Sequence, residues 1–286
     1  MSPSPSPTIA VAMTGHAWRI DLLDLDAYLA RIGLPAPPPP SRPALDELLA
    51  AHVGSFTFDN IDVLLEQHPG VALDAVQAKF VGRGRGGYCF EHATLFAAAL
   101  ERLGYTVERR LGRVGDPDEK ARTHAVVIVT VDDELLLCDP GFGFSTLRAI
   151  PLVDGAEDDH AGRVLRVREV REGAGRAWAL DRRGHDGWEL MHTHDELPVR
   201  PVDLVHGHHF TSTFPASMFR QTLIVTGLVG DRHLTLTAST ATVRRPGSPT
   251  EHREITLDEL PDLLLELRVP LTDDELQRLL RRLTEL

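Results

Sequence analysis

Apolar residues recur three or four positions apart in the first third of the chain, the spacing of a helix that buries one face. This pattern predicts four helices, near 24–32, 43–52, 73–80 and 90–103. From about residue 107 to 192 it changes to short apolar runs divided by glycine and aspartate, which predicts the strands of a β-barrel. Residues 1–20 begin with alternating serine and proline and are expected to form a disordered tail.

The last third of the chain mixes the two patterns. Three further strands are predicted between residues 220 and 245, where a glycine-aspartate pair supplies a turn. A final amphipathic helix is expected to begin at the capping box formed by Thr272 and Glu275 and to end near Leu283. The sequence therefore predicts helices first, a barrel second and a mixed segment last.

Composition narrows the class of protein. The 286 residues include 42 acidic and 30 basic side chains, a net charge of −12, so nucleic acid is not expected as a partner because phosphate binding requires a basic surface. No apolar run reaches the ~20 residues of a membrane span. The two cysteines argue against a disulfide framework and fit a thiol enzyme of the reducing cytoplasm.

The most informative local feature is a glycine-rich turn that delivers a cysteine onto the start of a helix. Gly86 and Gly87 belong to the turn, and Cys89 directly precedes the helix predicted for 90–103. Unpaired backbone N–H groups and the helix dipole favour an anion at such a position. A lone cysteine after a tight turn is more often a small core residue, so the prediction of a thiolate nucleophile depends on its partners.

A predicted hairpin supplies two such partners. His124 opens an apolar strand, a two-aspartate turn follows, and the return strand ends at Asp139. With a two-residue turn, Val126 faces Asp139, so His124 lies on the same face of the hairpin as Asp139 and diagonal to it. A carboxylate beside an imidazole fixes its tautomer and stabilises the imidazolium. The sequence thus predicts a nucleophile, a base and an orienting group in Cys89, His124 and Asp139.

At these residues the chain resembles the arylamine N-acetyltransferases. The similarity rests on residues 85–92, which read RGGYCFEH, on Thr123-His124, and on Asp139 with the Gly141-Phe142-Gly143 that follows it. It extends to residues 24–29, 58–62 and 212–219, and so spans about 20–286. The cysteine motif is highly specific, whereas the C-terminal match is looser.

The resemblance implies an α+β fold with an N-terminal helical bundle, a central β-barrel, a C-terminal α/β lid and a papain-like Cys-His-Asp core. The implied domains are a helical domain that carries the cysteine at 21–104, a barrel that carries the histidine and aspartate at 105–200, and a lid at 201–286.

It also implies the chemistry: acetyl-CoA as the donor, an acetyl-Cys89 intermediate, ping-pong kinetics and no metal. The acceptor would be an arylamine, an arylhydrazine or an N-hydroxyarylamine. No nucleic acid or membrane partner is expected, and the resemblance is compatible with a homodimer. Site roles follow by position, with substrate contacts assigned to Phe58, Phe142 and Phe219 and CoA contacts to Thr123, Gly143 and Ser217.

Three other classes of protein stay open on the residues alone. An amide synthase of the same family would use the same triad to release a polyketide by intramolecular amide formation. A cysteine hydrolase of the papain or transglutaminase type would pass its acyl group to water. A binding protein on a degenerate scaffold would have no use for the full triad.

Three secondary features have structural interpretations. Cys138 falls on the face of its strand opposite Asp139 and is expected to be a core thiol. The histidines between residues 192 and 209 match no zinc spacing and are expected to be solvated. Arg85 is expected to pair with Glu91 or Asp59 and to fix the turn beneath the nucleophile.

Overall fold

The computed structural model describes residues 17–160 and 162–286. Most of the tail predicted for 1–20 therefore lies outside the described residues. Trp18 and Ile20, however, pack against the hydrophobic core of the helical third. The guanidinium carbon of Arg109 lies 4.1 Å from the centre of the Trp18 ring. Within the described ranges, no helix combines the length and the apolar character needed to cross a membrane.

The first third is helical, as predicted. It comprises a 3₁₀ turn at Ile20–Leu22, α1 (Leu25–Arg31), α2 (Arg42–Ser55), the short strand β1 (Phe58–Asp59), α3 (Ile61–Leu64), α4 (Leu73–Gln77), a π-helical turn at Ala78–Gly82 and α5 (Cys89–Arg102). Every residue of α5 from Cys89 to Leu100 is buried. A helix that is covered on all sides belongs to a hydrophobic core. The helix α5 lies at the centre of the first core, which is formed mainly by the helical third of the chain.

The middle third forms one antiparallel sheet of eight strands that curls into a nearly closed barrel. The strands are β2 (Thr106–Arg113), β3 (His124–Val131), β4 (Glu134–Cys138), β5 (Ile150–Pro151), β6 (Glu157–His160), β7 (Arg163–Glu172), β8 (Gly175–Arg183) and β9 (Trp188–Asp195), in the order β5-β4-β3-β2-β9-β8-β7-β6. Because side chains alternate along β3, Val127 and Val129 pack toward α5 while Val126 and Ile128 enter the barrel interior.

The β3–β4 hairpin has the predicted register. Val131 pairs with Glu134, and Val127 pairs with Cys138. Asp132 and Asp133 both have positive φ, 50° and 66°, as a two-residue type I′ turn requires. Cys138 is buried in the first core, so the prediction of a core thiol is confirmed.

The last third contains α6 (Pro201–Thr213), α7 (Met218–Gln221), β10 (Val225–Val229), β11 (Arg232–Leu236), β12 (Thr240–Arg244), β13 (Glu251–Glu254), α8 (Leu260–Glu266) and α9 (Asp273–Thr284). The three predicted strands and the capped final helix are confirmed. The sequence pattern missed β13 because all four of its residues are exposed. It missed α6 because only Leu204, Gly207 and Thr211 of that helix are buried, a face with little apolar signal.

A second sheet joins the two ends of the chain. Its order is β1-β10-β11-β12-β13, with Phe58 paired to Thr226 and Asp59 to Val225. Phe58 also forms a parallel bridge with Gly87, in the turn that precedes Cys89. The strand β1 therefore connects the C-terminal sheet to the turn that carries the cysteine.

Candidate active site

Cys89 is the first residue of α5, and a tightly packed turn fixes its position. The N–H of Gly87 donates to the Thr57 carbonyl at 3.1 Å, and the Gly87 carbonyl accepts from the N–H of Asp59 at 2.7 Å. A Cβ on Gly86 would lie 1.9 Å from the Thr57 carbonyl oxygen, so this approach requires glycine. The turn is thus held against β1 rather than left free to move the cysteine.

One contact holds the thiol, and a second holds the start of the helix that carries it. The side chain of Cys89 is almost entirely buried, and Sγ donates to the Thr123 carbonyl at 3.4 Å. At the helix start, the N–H of Tyr88 donates to Glu91 Oε2 at 3.1 Å. The loop that carries Thr123 leads directly into β3, so the thiol lies beside the first residue of that strand.

The turn rests on a buried ion network whose partners differ from those predicted. Arg85 is fully buried, and its Nη2 lies 2.7 Å from Asp62 Oδ1 while its Nη1 lies 3.4 Å from Glu275 Oε1. The prediction that Arg85 pairs with Glu91 or Asp59 is therefore wrong. Asp62 and Glu275 come from α3 and α9, and only the tertiary structure brings those helices together.

Glu91 pairs instead with a buried lysine. Lys79 Nζ lies 2.8 Å from Glu91 Oε1 and 3.1 Å from Asp62 Oδ2, and His68 Nε2 lies 3.0 Å from Glu91 Oε2. Burial by itself raises the pKa of Glu91, but Lys79 and His68 outweigh it and lower that pKa to about 2. The carboxylate that caps α5 is therefore ionised, and its charge is balanced within the core.

His124 and Asp139 meet at the open end of the hairpin. His124 Nε2 lies 2.9 Å from Asp139 Oδ2, and both side chains are buried. Because Asp139 occupies Nε2, Nδ1 is the ring nitrogen left to exchange a proton with Cys89. The predicted proximity of His124 to Asp139 is confirmed.

The electrostatics of this pair favour charge separation. Burial lowers the pKa of His124, but the Asp139 carboxylate, and then Cys89, raise it to about 10. Burial likewise opposes ionisation of Asp139, yet His124 and His192 hold the pKa of that carboxyl well below its usual range. His124 is therefore an imidazolium at neutral pH, and its positive charge lies beside Cys89.

A second histidine, which sequence reasoning missed, approaches the same carboxylate. His192 Nε2 lies 3.0 Å from Asp139 Oδ2, and the His192 ring centre lies 4.6 Å from that of His124. Gly112 of β2 pairs with His124 of β3 on one side and with His194 of β9 on the other. A Cβ on Gly112 would lie 2.2 Å from the Thr193 carbonyl oxygen, so glycine at this position lets β9 pack closely against β2 beside His192.

The expectation of solvated histidines is wrong for His192 and His194, which are 0% and 1% exposed. The strand β9 lies inside the barrel sheet, between β2 and β8, and the spacing of two histidines along a strand does not reveal that they are buried there. The available signal was their parity: residues two apart on a strand share a face, and Thr193 between them is also buried.

The same residues include one set of metal-type ligands. One ligand atom each from His124, Asp139 and His192 lie within 4.8 Å of one another. His124 donates to Asp139 Oδ2, and His192 approaches the same oxygen.

The aromatic residues predicted to contact an acceptor fall into two groups around the site. The Phe142 ring centre lies 5.3 Å from that of His124 and 5.5 Å from that of His192. The Phe219 ring centre lies 5.5 Å from that of Tyr88 and 6.1 Å from that of Phe58. One group therefore borders the imidazoles, and the other borders the residue that precedes Cys89.

The residues predicted to contact CoA are less closely grouped. The Thr123 carbonyl accepts from Cys89, as described above. The Gly143 carbonyl accepts from Thr226 Oγ1 at 2.7 Å. Ser217 is buried, and its hydroxyl donates to the Thr211 carbonyl at 2.6 Å. Their roles stay predictions.

One contact ties the last third of the chain to the cysteine turn. The Tyr88 hydroxyl is hydrogen-bonded to His208 Nδ1 of α6. Burial, followed by the neighbouring His68, lowers the pKa of His208 to about 4, so its imidazole is neutral and can accept this bond. The helix α6 is therefore anchored one residue before the thiol.

Known proteins are similar to this chain in sequence and in fold. The sequence model of a family described as N-acetyltransferase matches residues 43–272. An arylamine N-acetyltransferase of Mycolicibacterium smegmatis is 37% identical over 238 residues, which cover 80% of this chain and 85% of the relative.

Solved structures agree with the sequence comparison. The arylamine N-acetyltransferase of Mycobacterium abscessus superimposes with a TM-score of 0.88 at 32% identity, covering 99% of this chain and 100% of that one. The Mycobacterium marinum enzyme, solved in complex with CoA, has a TM-score of 0.81 at 30% identity, covering 92% and 99%. In sequence and in fold, the chain belongs to the arylamine N-acetyltransferase family.

Proposed function

We propose that the protein transfers an acetyl group from acetyl-CoA, through an acetyl-Cys89 intermediate, to an arylamine, an arylhydrazine or an N-hydroxyarylamine. The observation that carries this proposal is the position of Cys89 at the start of α5 beside a buried His124–Asp139 pair. The relative from M. smegmatis is named for arylamine acetylation, and the M. marinum structure contains CoA, which supports the choice of substrates.

In the first half-reaction, the Cys89 thiolate attacks the thioester carbonyl and a carbon–sulfur bond forms. The tetrahedral intermediate then expels CoA, whose sulfur takes a proton from the His124 imidazolium. Asp139, at 2.9 Å from His124 Nε2, holds the ring so that Nδ1 addresses the reacting sulfur. The products are acetyl-Cys89, neutral His124 and free CoA.

In the second half-reaction, the amine nitrogen attacks the acetyl-cysteine carbonyl. His124 now takes the amine proton, and the Cys89 thiolate leaves, which restores the starting ion pair. Backbone N–H groups near Cys89 would stabilise the oxyanion in both halves, since the first N–H groups of a helix have no partner within it. The cycle consumes no proton and requires no redox step.

We regard this core as papain-like, with a helix-borne cysteine facing a strand-borne histidine and aspartate. An aromatic amine would lie against flat apolar walls formed by Phe142 and Phe219, and the Phe58 ring would support that of Phe219. Residues 201–286 would act as a lid over the barrel, anchored through the bond between His208 and Tyr88. A site closed in this way favours an amine over water in the second half-reaction.

Intact-protein mass spectrometry tests the proposal. Incubation with acetyl-CoA alone should add one acetyl group to the wild type and to Cys138→Ala, but none to Cys89→Ala. An arylamine should then remove the adduct faster than buffer does. Discharge by water at the same rate would instead identify a hydrolase, and failure to accept acetyl from acetyl-CoA would favour the amide synthase.

A further inference from the structure

Three side chains that the proposed mechanism does not use form a hydrogen-bonded chain through the first core. Tyr28 of α1, His52 of α2 and His92 of α5 are 0%, 0% and 1% exposed. The Tyr28 hydroxyl lies 2.9 Å from His52 Nδ1, and His52 Nε2 lies 2.9 Å from His92 Nδ1. At the far end, His92 Nε2 lies 3.1 Å from the Thr57 carbonyl oxygen. The chain of hydrogen bonds therefore joins three helices and ends on the backbone next to β1.

The Thr57 carbonyl fixes the direction of this chain. A carbonyl oxygen only accepts, so His92 Nε2 carries a proton and, in a neutral ring, His92 Nδ1 accepts from His52 Nε2. His52 Nδ1 then accepts from the Tyr28 hydroxyl. Burial, and then His92, lower the pKa of His52 well below its ordinary value, and burial lowers the pKa of His92 to about 4. Both imidazoles are therefore neutral at pH 7, and each of their ring nitrogens has a partner.

Aromatic side chains enclose the two imidazoles. The His52 ring centre lies 5.1 Å from that of Phe56 and 5.1 Å from that of Phe96, and the His92 ring centre lies 5.0 Å from that of Phe80. Contact between apolar groups has no preferred direction, whereas a hydrogen bond in such surroundings fixes the distance and the angle between its partners. The chain therefore specifies how α1, α2 and α5 lie against one another more closely than apolar contacts alone would.

The end of the chain reaches the turn that carries the cysteine. The Thr57 carbonyl oxygen accepts from His92 Nε2 and also from the N–H of Gly87, both at 3.1 Å. The same oxygen is the atom that a Cβ on Gly86 would strike. One carbonyl oxygen thus joins the His92 imidazole to the backbone two residues before Cys89.

His92 also contacts the loop that follows the aspartate. A Cβ built on Gly141 would lie 2.9 Å from His92 Cβ and 2.8 Å from Cys89 Cα. The N–H of Gly141 donates to Asp139 Oδ1 at 3.3 Å. Because Cys89 and His92 are three residues apart on α5, they lie on one face of the helix and both press against this loop. A shift of His92 would therefore move Cys89 relative to Asp139.

We propose that Tyr28, His52 and His92 are positioning residues for acetyl transfer, and that their chain holds α5 and the cysteine turn against the loop after Asp139. The inference rests on the proposed function and deepens it, since it assigns further residues to the same site. The three side chains act through the backbone rather than on the reacting atoms. What they set is the position of Cys89 relative to the imidazole and the carboxylate of the triad.

Removal of a single hydroxyl group tests the proposal. Tyr28→Phe leaves His52 Nδ1 without its donor, so the maximal rate of acetyl-Cys89 formation should fall by about threefold or more while KM for acetyl-CoA is unchanged. Tyr105→Phe is the matched control, because it removes a hydroxyl that donates to the Ser41 carbonyl at 3.0 Å and lies beyond the other end of α5. It should lose comparable stability in urea but keep the wild-type rate. Equal rates in the two variants would overturn the proposal.

Substitution of His92 separates the N–H donor from the shape of the ring. His92→Phe keeps an aromatic ring without an N–H, whereas His92→Gln keeps an N–H that can reach the Thr57 carbonyl. Alkylation of Cys89 by iodoacetamide at pH 7, which needs no acetyl-CoA, should slow by about tenfold in His92→Phe and by less than about threefold in His92→Gln. An equal effect of both would overturn the role of the donor, and Tyr28→Phe decides the question if His92→Phe does not fold.

Long-range ¹H–¹⁵N NMR reports on the chain itself. At pH 7 the wild type should show His52 and His92 as neutral rings with the proton on Nε2, assigned by the signals that disappear in His52→Gln and His92→Gln. A proton on Nδ1 of either ring would overturn the chain. Absence of acetyl-Cys89 in the wild type would instead overturn the proposed function, because neither the tautomers nor the alkylation rates depend on acetyl transfer.

Discussion

His192 shares with His124 a single carboxylate oxygen of Asp139, at 3.0 Å and 2.9 Å respectively. Asp139 is therefore held from two sides by imidazoles that come from different strands of the barrel. Since both contribute to lowering the pKa of Asp139, His192 acts as a positioning residue for the pair that addresses Cys89.

Replacing His192 by Phe should fill the same space without a partner for Asp139. We expect acetylation of Cys89 to slow by roughly tenfold, because Asp139 loses one close polar partner that helps to hold it in place. The pKa of Asp139 should rise, so the acid limb of the pH–rate profile should move toward neutral pH. His192→Asn, which keeps an N–H donor, should retain more activity and the original limb. An unshifted profile in His192→Phe would rule out the positioning role.

The two thiols should react very differently. Cys89 lies beside the His124 imidazolium, whereas burial raises the pKa of Cys138 well above its usual range. Iodoacetamide should modify Cys89 first and abolish activity, and acetyl-CoA should protect it. In His124→Gln the rate at pH 7 should drop by about tenfold or more, because an unassisted thiol is only a few per cent ionised there. Peptide mass spectrometry identifies the site, and faster labelling of Cys138 would contradict the assignment.

The ion network beneath the cysteine turn should contribute strongly to stability. Lys79→Met leaves Glu91 and Asp62 buried without their shared cation, so the free energy of unfolding should fall by about 3–5 kcal/mol. Lys120→Met, at an exposed position, is the control and should change it by less than about 0.5 kcal/mol. Urea denaturation measures both, and equal midpoints for the two variants would contradict this interpretation.

Acid should remove part of this stability through Glu91. The pKa of Glu91 is lowered from 4.5 to about 2, so its contribution is present above pH 4.5 and is lost as the pH falls toward 2. The loss should be on the order of 3 kcal/mol. Denaturation between pH 6 and 2.5 should show a weaker pH dependence in Glu91→Gln than in the wild type. Parallel curves would show that another carboxyl group is responsible.

Phe142 should matter more to the second half-reaction than to the first. Its ring borders His124, where we place the aromatic acceptor. Phe142→Ala should therefore lower arylamine transfer by about tenfold or more while acetyl-Cys89 formation changes less. Phe210→Ala, in an exposed stacked pair with Phe214, is the control. Single-turnover measurements separate the two steps, and an equal loss in both would place Phe142 outside the acceptor pocket.

Local sequence rules predicted the parts of the site whose determinants are close together in the chain. The glycine turn and the apolar spacing after it place Cys89 at a helix start. The two-aspartate turn sets the register that brings His124 to Asp139. In both cases the backbone geometry of a few neighbouring residues determines where the side chain lies, so no contact between distant parts of the chain was needed to predict it.

Other features depend on elements far apart in the chain, and only the tertiary structure decided them. Arg85 finds its partners on α3 and α9, and His192 reaches Asp139 because β9 and the β3–β4 hairpin are brought together in one folded sheet. A polar or charged residue on an isolated strand or turn is expected to be solvated, and only packing between distant elements makes it a buried partner of another charged group.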